Sequence, residues 1–484
     1  MAGGAFVSGG SDSPRIKQLE ESLNRIGITN AHKMIIFLIL LGCLFDAFEQ
    51  NAVGIVAPLL REHWGLTATD IGLLNTITFA AAAIGRLLTG IVADKYGRRV
   101  MLGINLLLFT LGAAICAFAP NYWTMAFGRA VVGFGLGGEI SIAVTMLAEF
   151  CSARSRGTAV ALVNVGAGGF GNFLAPGFGL LVFTIFPGPE GWRWLFICLI
   201  VPALLAIFYR RFIPETPRFL LSKGDIAGAN RVLSKLASGK LTREPAVKEY
   251  ISASLKEGEV VAQKPQPTEI FKGVYGRRTV PVAIAIWMTY GAQLSILTLM
   301  PLILMAKGHS IAQSLMFTMI MQGGSLCGAI AASFLGYHLP RKRVLTIGAM
   351  MACLAALGFG FMADSIATIL ICGAVFQFFV LLLNTTIWIW APELYPTRMR
   401  AFGTAFILAT GSAAGALMPL LAGRLLDGIG VAAVFSMITI MYVIFAICVQ
   451  LAPETFGRSM EDLNLPAEPT QDPVDEPIAV SARS

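Results

Sequence analysis

Twelve long apolar runs, separated by short polar breaks, limit this chain more than any other feature. They fall at roughly 34–60, 70–93, 100–119, 123–148, 157–186, 192–213, 279–305, 312–337, 343–362, 366–391, 401–423 and 431–452. Each is near or above the ~20 residues a helix needs to cross the hydrocarbon core of a bilayer. A barrel would instead show alternation over about ten residues per strand. Only 13% of the 484 residues are charged and 56% are hydrophobic, whereas soluble domains carry about 25% charged residues. The chain therefore reads as an all-α integral membrane protein with twelve transmembrane helices.

The net charge of +8 is not the footprint of a nucleic-acid binder, because its Lys and Arg lie in short loops beside the runs. Lys95, Arg98, Arg99, Arg154, Arg156, Arg341, Lys342, Arg343, Arg398 and Arg400 follow even-numbered runs, while Ala119–Trp123 and Ala363–Ile366 hold no Lys or Arg. This asymmetry places the even-numbered connections and both termini in the cytoplasm of a cell membrane. The eight Cys lack metal spacing and read as free thiols.

These runs divide the chain into a cytoplasmic segment 1–33, a six-helix bundle 34–221, a cytoplasmic linker 222–278, a second bundle 279–452 and a tail 453–484. Ile16, Leu19, Leu23 and Ile26 recur at helical spacing, which predicts a short helix lying on the membrane surface or in solvent. Ile226, Ala229, Leu233 and Leu236 share one face of a second short helix in the linker.

The halves echo each other at an offset of about 240 residues. Gly90-Ile-Val-Ala-Asp94-Lys95-Tyr-Gly97-Arg98-Arg99 returns in reduced form at Ser333–Lys342. Glu149-x4-Arg154-x-Arg156 returns as Glu393-x4-Arg398-x-Arg400. Pro214-Glu215-Thr216 returns as Pro453-Glu454-Thr455. Tyr337 stands where the second copy would carry its Asp, so the second loop should be the weaker clamp.

An ionisable side chain near the bilayer centre costs about 2.5–3.5 kcal/mol on insertion scales, so it has a task or a partner. Asp46 and Glu49 lie near the middle of span one, on one face. Arg129 and Glu139 lie on span four, ten residues apart, about 15 Å along a helix. Asp46 is the leading candidate for a proton carrier, with Arg129 as its partner; a static ion pair is the alternative. Glu49 and Glu139 are further candidates for protonation or for packing. Arg129 is also the candidate cation for an anionic substrate, since guanidinium binds carboxylates bidentately. Arg86 is placed near the cytoplasmic end of span two, snorkelling to the interface. In the second half, Tyr290, Gln293, Ser295, Asn384 and Trp388 suit a small, planar, partly polar solute. Gln322 and Gln377 are further amides, and Trp390 an interfacial anchor or a recognition group. Pro176 is a candidate kink in span five. No Walker sequence, metal-ligand cluster or nucleophile–base arrangement is evident, which argues against a pump or an enzyme.

The motifs Gly90-x3-Asp94-x2-Gly97-Arg98-Arg99 and Gly128-Arg129-x3-Gly133-x-Gly135-x-Gly137 resemble those of the major facilitator superfamily, over about 34–460. Pro214-Glu215-Thr216-Pro217-Arg218, Pro453-Glu454-Thr455, Gln293-Leu294-Ser295 and Trp388-x4-Glu393 are similar to the sugar-porter branch. Phe45-Asp46-Ala-Phe-Glu49, Gly137-Gly138-Glu139 and Glu393-Leu-Tyr395-Pro396-Thr397 resemble the organic-ion branch instead. That resemblance implies two six-helix bundles with a site between them, worked by alternating access. It implies import of a small organic acid, such as a nicotinate- or benzoate-like carboxylate, driven by a proton gradient. No cofactor, metal or nucleic acid is called for, and the transporter is expected to be a monomer in the bilayer. A clamp of Asp94, Arg98, Arg99, Glu149, Arg154, Arg156, Glu215, Glu393, Arg398 and Arg400 would close the cytoplasmic side. A sugar or polyol symporter, an organic-cation or drug carrier and a non-transporting receptor are the rival readings.

Overall fold

With no water inside a bilayer, every backbone N–H and C=O must find a partner within the segment, and the helix is the form that provides it. A computed structural model describes residues 14–152, 155, 158–159, 162–242, 246–252, 267–362, 365–395 and 397–456. Among them, eleven helices are long and apolar enough to cross a membrane. Spans one to four are Asn30–Trp64, Ala68–Tyr96, Arg98–Ala117 and Tyr122–Phe150. Span five joins a π-helical stretch, Asn164–Gly171, to the α-helix Asn172–Ile185. Spans seven to twelve are Gly273–Ala306, Ile311–His338, Arg341–Met362, Ile366–Glu393, Thr397–Gly428 and Val431–Leu451.

Span six departs from the expected single run. It is built from two short helices, Gly191–Cys198 and Ala203–Phe212, joined by a turn at 199–202. Pro202 has no N–H and disfavours helical backbone at Val201. The turn closes with i→i+3 bonds instead: Ile200 N to Ile197 O at 3.0 Å and Leu205 N to Pro202 O at 2.8 Å. The irregularity of span five likewise falls on its π-helical stretch, ahead of Pro176, which sits inside a regular α-helix.

Span four is wedged between spans two and three, and its glycines make the fit possible. A Cβ at Gly133 or Gly137 would run into the carbonyl of Thr78 or Ala82. The two halves meet along spans one and seven, two and eleven, and five and eight.

The helix Pro14–Ile26 and the described part of the linker gather at the end of the bundle that carries the basic loops. The helix Pro14–Ile26 forms as its spacing predicts, but its apolar face meets protein rather than lipid. Ile16, Leu19 and Leu23 are buried with Ala229, Leu233 and Leu236 of the linker helix Ile226–Ser238. The Asn230 carboxamide holds the returning linker by bonds to Tyr250 N and Ile251 N, both 2.9 Å, and to Ile251 O at 2.9 Å. Buried linker backbone has no water, so a fixed side chain takes its place.

At the opposite end the halves are tied shut. The Asp427 carboxylate, at the end of span eleven, accepts from Ala68 N at 3.1 Å, Thr69 N at 2.8 Å and Thr69 Oγ1 at 2.7 Å. It thus caps the first turn of span two across the seam, where free N–H groups favour an anion. Gly423 lets the two helices touch there, since a Cβ would come within 3.0 Å of Thr69 Cα. Deeper in the seam, Asn75 donates to Thr298 Oγ1 of span seven.

Loss of this cap in Asp427→Ala should open that end more often. A capping bond is worth roughly 0.5–2 kcal/mol, or about two- to thirtyfold in a two-state population. In a cysteine-free background, a cysteine at Thr76 should react correspondingly faster with an impermeant maleimide; an unchanged rate would show that Asp427 does not seal the seam.

Candidate functional site

Span one and span four run antiparallel, so their register decides which charges meet. Arg129, near the start of span four, lies level with Glu49 rather than Asp46. Its Nη1 donates to Glu49 Oε2 at 2.8 Å, its Nη2 to the Glu49 carbonyl at 3.3 Å and its Nε to Thr78 Oγ1 at 3.2 Å. Both side chains are fully buried. This corrects the expected Asp46–Arg129 pair. It also removes Arg129 as a direct substrate contact, because its guanidinium is closed in between spans one, two and four.

Asp46 stands one step away. Its Oδ2 accepts from Gln50 Nε2 at 3.2 Å, and its buried Oδ1 has no hydrogen-bond partner among the described residues. Ten residues along span four from Arg129, Glu139 faces Gly42, Cys43 and Asp46 of span one and Tyr209 of span six. Both Glu139 carboxyl oxygens are buried without a hydrogen-bond partner among the described residues, while Tyr209 donates instead to Leu38 O at 3.1 Å. Two acidic side chains therefore share an apolar compartment in which an ionised carboxylate is expensive.

Beside that compartment lies a cavity of about 110 Å³ between the halves. Span one supplies Gln50, span two Arg86 and span five Asn164 and Asn172; the second half supplies Tyr290, Gln293, Asn384 and Trp388. The amides are held in place. Asn384 donates to Gln293 Oε1 at 2.5 Å and accepts from Thr289 Oγ1 at 2.9 Å. Trp388 Nε1 donates to the Tyr290 hydroxyl. Asn172 accepts from Asn51 at 2.8 Å, which fixes span five against span one.

Four of the expected substrate residues thus come together: Tyr290, Gln293, Asn384 and Trp388. Ser295 does not, since it is fully buried and donates to Gly291 O of its own helix at 2.7 Å. Gln322 and Gln377 share the Ser325 hydroxyl in the packing of spans eight and ten. Trp390 is fully buried rather than interfacial. Arg86 was misplaced by counting residues from Asp94: it lines the cavity instead of snorkelling to the interface. Gln50, Asn164 and Asn172 escaped notice, because isolated amides in apolar runs give no pattern. The polar step Asn164 and Asn172, eight residues apart on either side of a glycine cluster, was the available signal.

The basic loops form two matching clamps. In the first half, Arg98 meets Asp94 at 2.9 Å and Glu149 at 3.7 Å, and Glu149 accepts from Thr216 Oγ1 at 2.5 Å. Glu215 accepts from the backbone N–H of Arg98 at 3.0 Å, Arg99 at 3.3 Å and Thr216 at 3.1 Å. Burial pushes its carboxyl above the usual range, against the pull of those N–H groups. Gly97, at φ +103°, turns the loop onto Glu215 with no room for a Cβ.

In the second half, Glu454 accepts from Arg341 N at 3.0 Å and Lys342 N at 2.9 Å, and Glu393 accepts from Thr455 Oγ1 at 2.5 Å. Arg341 gives Glu393 two bonds, at 3.0 and 3.3 Å. The second clamp lacks the Asp but is not looser, since Arg341 puts both donors on one carboxylate. Glu454, Thr216 and Thr455 belong to these clamps, although their Pro-Glu-Thr repeat pointed only to a domain end. Arg154 and Arg156 lie outside the described residues, as do the side chains of Arg398 and Arg400. Each clamp closes a loop within its own half; the ties between halves described above lie at the other end.

The family described as sugar (and other) transporter matches residues 30–465 of the chain. The niacin transporter NiaP of Acinetobacter baylyi is 29% identical over 454 residues, covering 92% of this chain and all of that protein. A gallate transporter of Pseudomonas putida is 28% identical, covering 84% of this chain and 88% of its own. Among solved structures, a partially occluded, inward-open conformation of the xylose transporter XylE from E. coli superposes with a TM-score of 0.72. It is 18% identical and covers 88% of this chain and 99% of that one. At that identity the likeness speaks for the fold alone. A match along most of the chain, on a helical fold with paired clamps, identifies the protein as a member of the sugar (and other) transporter family of the major facilitator superfamily, a multi-pass membrane transporter and not an enzyme.

Proposed function

We propose that the protein imports a small aromatic or heteroaromatic carboxylic acid together with protons. The observation that carries this reading is the cavity between the halves, whose amides and aromatic faces are the groups that recognise a planar, partly polar ring. At about 110 Å³ the cavity is smaller than the engineered apolar cavity of about 150 Å³ that holds benzene, so a ring carrying a carboxylate enters only as the cavity widens. The relatives fit it, since several are named for niacin, gallate or 4-hydroxybenzoate. The basic loops place the clamped end in the cytoplasm of the cell membrane. The tied Asp427 seam then faces outward, and this conformation is one from which substrate leaves to the inside.

Asp46 is the proton carrier in this scheme, with Glu139 as the second acidic group of its compartment. An acid held by one amide in an apolar space is stable when neutral. When an opening to water rehydrates it, it ionises and releases the proton. Arg129 and Glu49 form a tie between spans one and four, which keeps the compartment's walls in register.

Uptake into proteoliposomes tests this. An inward-directed proton gradient should drive accumulation of nicotinate, benzoate or 4-hydroxybenzoate but not of hexoses. Asp46→Asn should abolish accumulation above equilibrium while leaving exchange of the same acid intact. Hexose accumulation in place of acids would sink the substrate class. Gradient-driven accumulation surviving in Asp46→Asn would remove Asp46 as carrier.

The tie has its own test. Glu49→Gln leaves Arg129 buried and unpaired, at about 3–5 kcal/mol, and should lower the melting temperature in detergent sharply. Glu49→Met with Arg129→Met should recover most of that loss and keep coupled uptake. A double variant that is stable but uncoupled would move the pair from packing into the proton pathway.

A further inference from the structure

Two arginines reach the middle of the bundle, and only one is matched by a carboxylate. Arg129 has Glu49. Arg86, on span two, donates its Nε to Gly137 O at 3.1 Å and its Nη1 to Leu408 O at 3.3 Å and Ser412 Oγ at 2.7 Å. All three acceptors are neutral, and no acceptor among the described residues holds Nη2. Asp46 lies within electrostatic reach of Arg86 but is bonded to Gln50, and the two make no ion pair among the described residues. A guanidinium at mid-membrane without a carboxylate is costly and is kept for a purpose.

Arg86 also lines the cavity, together with Gln50 and the Tyr290–Trp388 pair, and the Tyr290 hydroxyl lies within its electrostatic reach. Its bonds cross the seam, because Gly137 belongs to the first half and Leu408 and Ser412 to span eleven of the second. Gln293, also at the cavity, accepts from Asn384 through its amide oxygen, and its amide N–H has no acceptor among the described residues. The cavity therefore offers both a planar cation and a neutral amide donor. The hydrogen-bonded Tyr290 and Trp388 rings stand beside them as flat walls.

Resting on the transport reading above, we infer that Arg86 is the anchor for the substrate's carboxylate. The acid's ring lies against Tyr290 and Trp388, and Gln293 reads an acceptor on the ring's far side. The ligand class is an anionic, single-ring carboxylate with a ring nitrogen or hydroxyl. An anion seated on Nη2 joins the groups that Arg86 already bridges between the two halves, so occupancy and approach of the halves are linked at one side chain.

The measurement is calorimetric binding to the full chain purified in detergent. Nicotinate is compared with nicotinamide and benzoate with benzamide, on wild type, Arg86→Gln, Arg86→Lys and Ser412→Ala. Wild type should prefer each acid over its amide. Arg86→Gln should weaken the acids by about 10- to 100-fold, the size of a charge-assisted hydrogen bond, and leave the amides within about threefold. Arg86→Lys should keep part of the preference, because the charge remains while the fork is lost. Ser412→Ala removes a neighbour of Arg86 but not the charge, so it should retain the acid preference.

If Arg86 served only to tie the halves, acids and amides would weaken together in Arg86→Gln and in Ser412→Ala, which would overturn the anchor. Should Arg86→Gln fail to fold, an Arg86→Lys variant with an undiminished acid preference would overturn it equally. A wild type that binds none of these acids would remove the substrate class and the anchor together. One that binds acids with a preference indifferent to Arg86 would remove the anchor alone.

Discussion

A side chain that carries charge into hydrocarbon must be answered there, and the answer determines how this bundle is put together. Arg129 is met by a carboxylate, a carbonyl and a hydroxyl drawn from two other spans, so three helices are held in one register. That register brings Glu139 level with Gly42 and Asp46, and places Gln50 at the cavity wall. The glycines of span four serve the same end, because the bonds form only if the backbones approach to contact. Moving span four by one turn, about 5.4 Å, would leave both ions of the pair buried and unanswered.

The two clamps show how the same solution is reached twice with different parts. In each, a glutamate beside a Pro-Glu-Thr step accepts the first N–H groups of the helix that follows a basic loop. These N–H groups have no partner inside their own helix, and they attract an anion through the helix dipole. A second glutamate at the end of span four or ten then takes the arginine. Where the first half divides Arg98 between Asp94 and Glu149, the second gives Glu393 two bonds from Arg341. Loss of the aspartate is offset by better geometry on the remaining carboxylate.

Polar groups at the seam are arranged by their distance from the middle. Far from the basic loops, Asp427 and the Asn75–Thr298 bond hold the halves together through neutral or capped contacts that can be exchanged for water when the seam opens. At the centre the contacts are fewer and the space is larger. Arg86 and Gln293 keep donors there that no acceptor among the described residues satisfies. A tied end, a cavity at the centre and loops closed separately within each half at the other end set the layout of the bundle.

Much of this was legible in the order of residues. Apolar runs of bilayer length can only be helices, loop Lys and Arg give the two ends different characters, and echoes such as Glu149 and Glu393 expose the duplication. These are local properties, and they survive without knowing which helix touches which. The partners of the buried charges were not legible. Asp46 and Glu49 are three residues apart on one face, and either was within reach of Arg129 until the register of two antiparallel helices chose Glu49. Arg86 read as an interfacial residue because its distance along the chain from Asp94 is short, yet the side chain reaches sideways to span eleven. The helix Pro14–Ile26 was readable as amphipathic, but its pattern could not say that protein rather than lipid covers it. Periodicity and hydropathy belong to single segments, whereas the pairing of charges and the shape of the cavity depend on how segments lie against each other, and tertiary structure alone decides that.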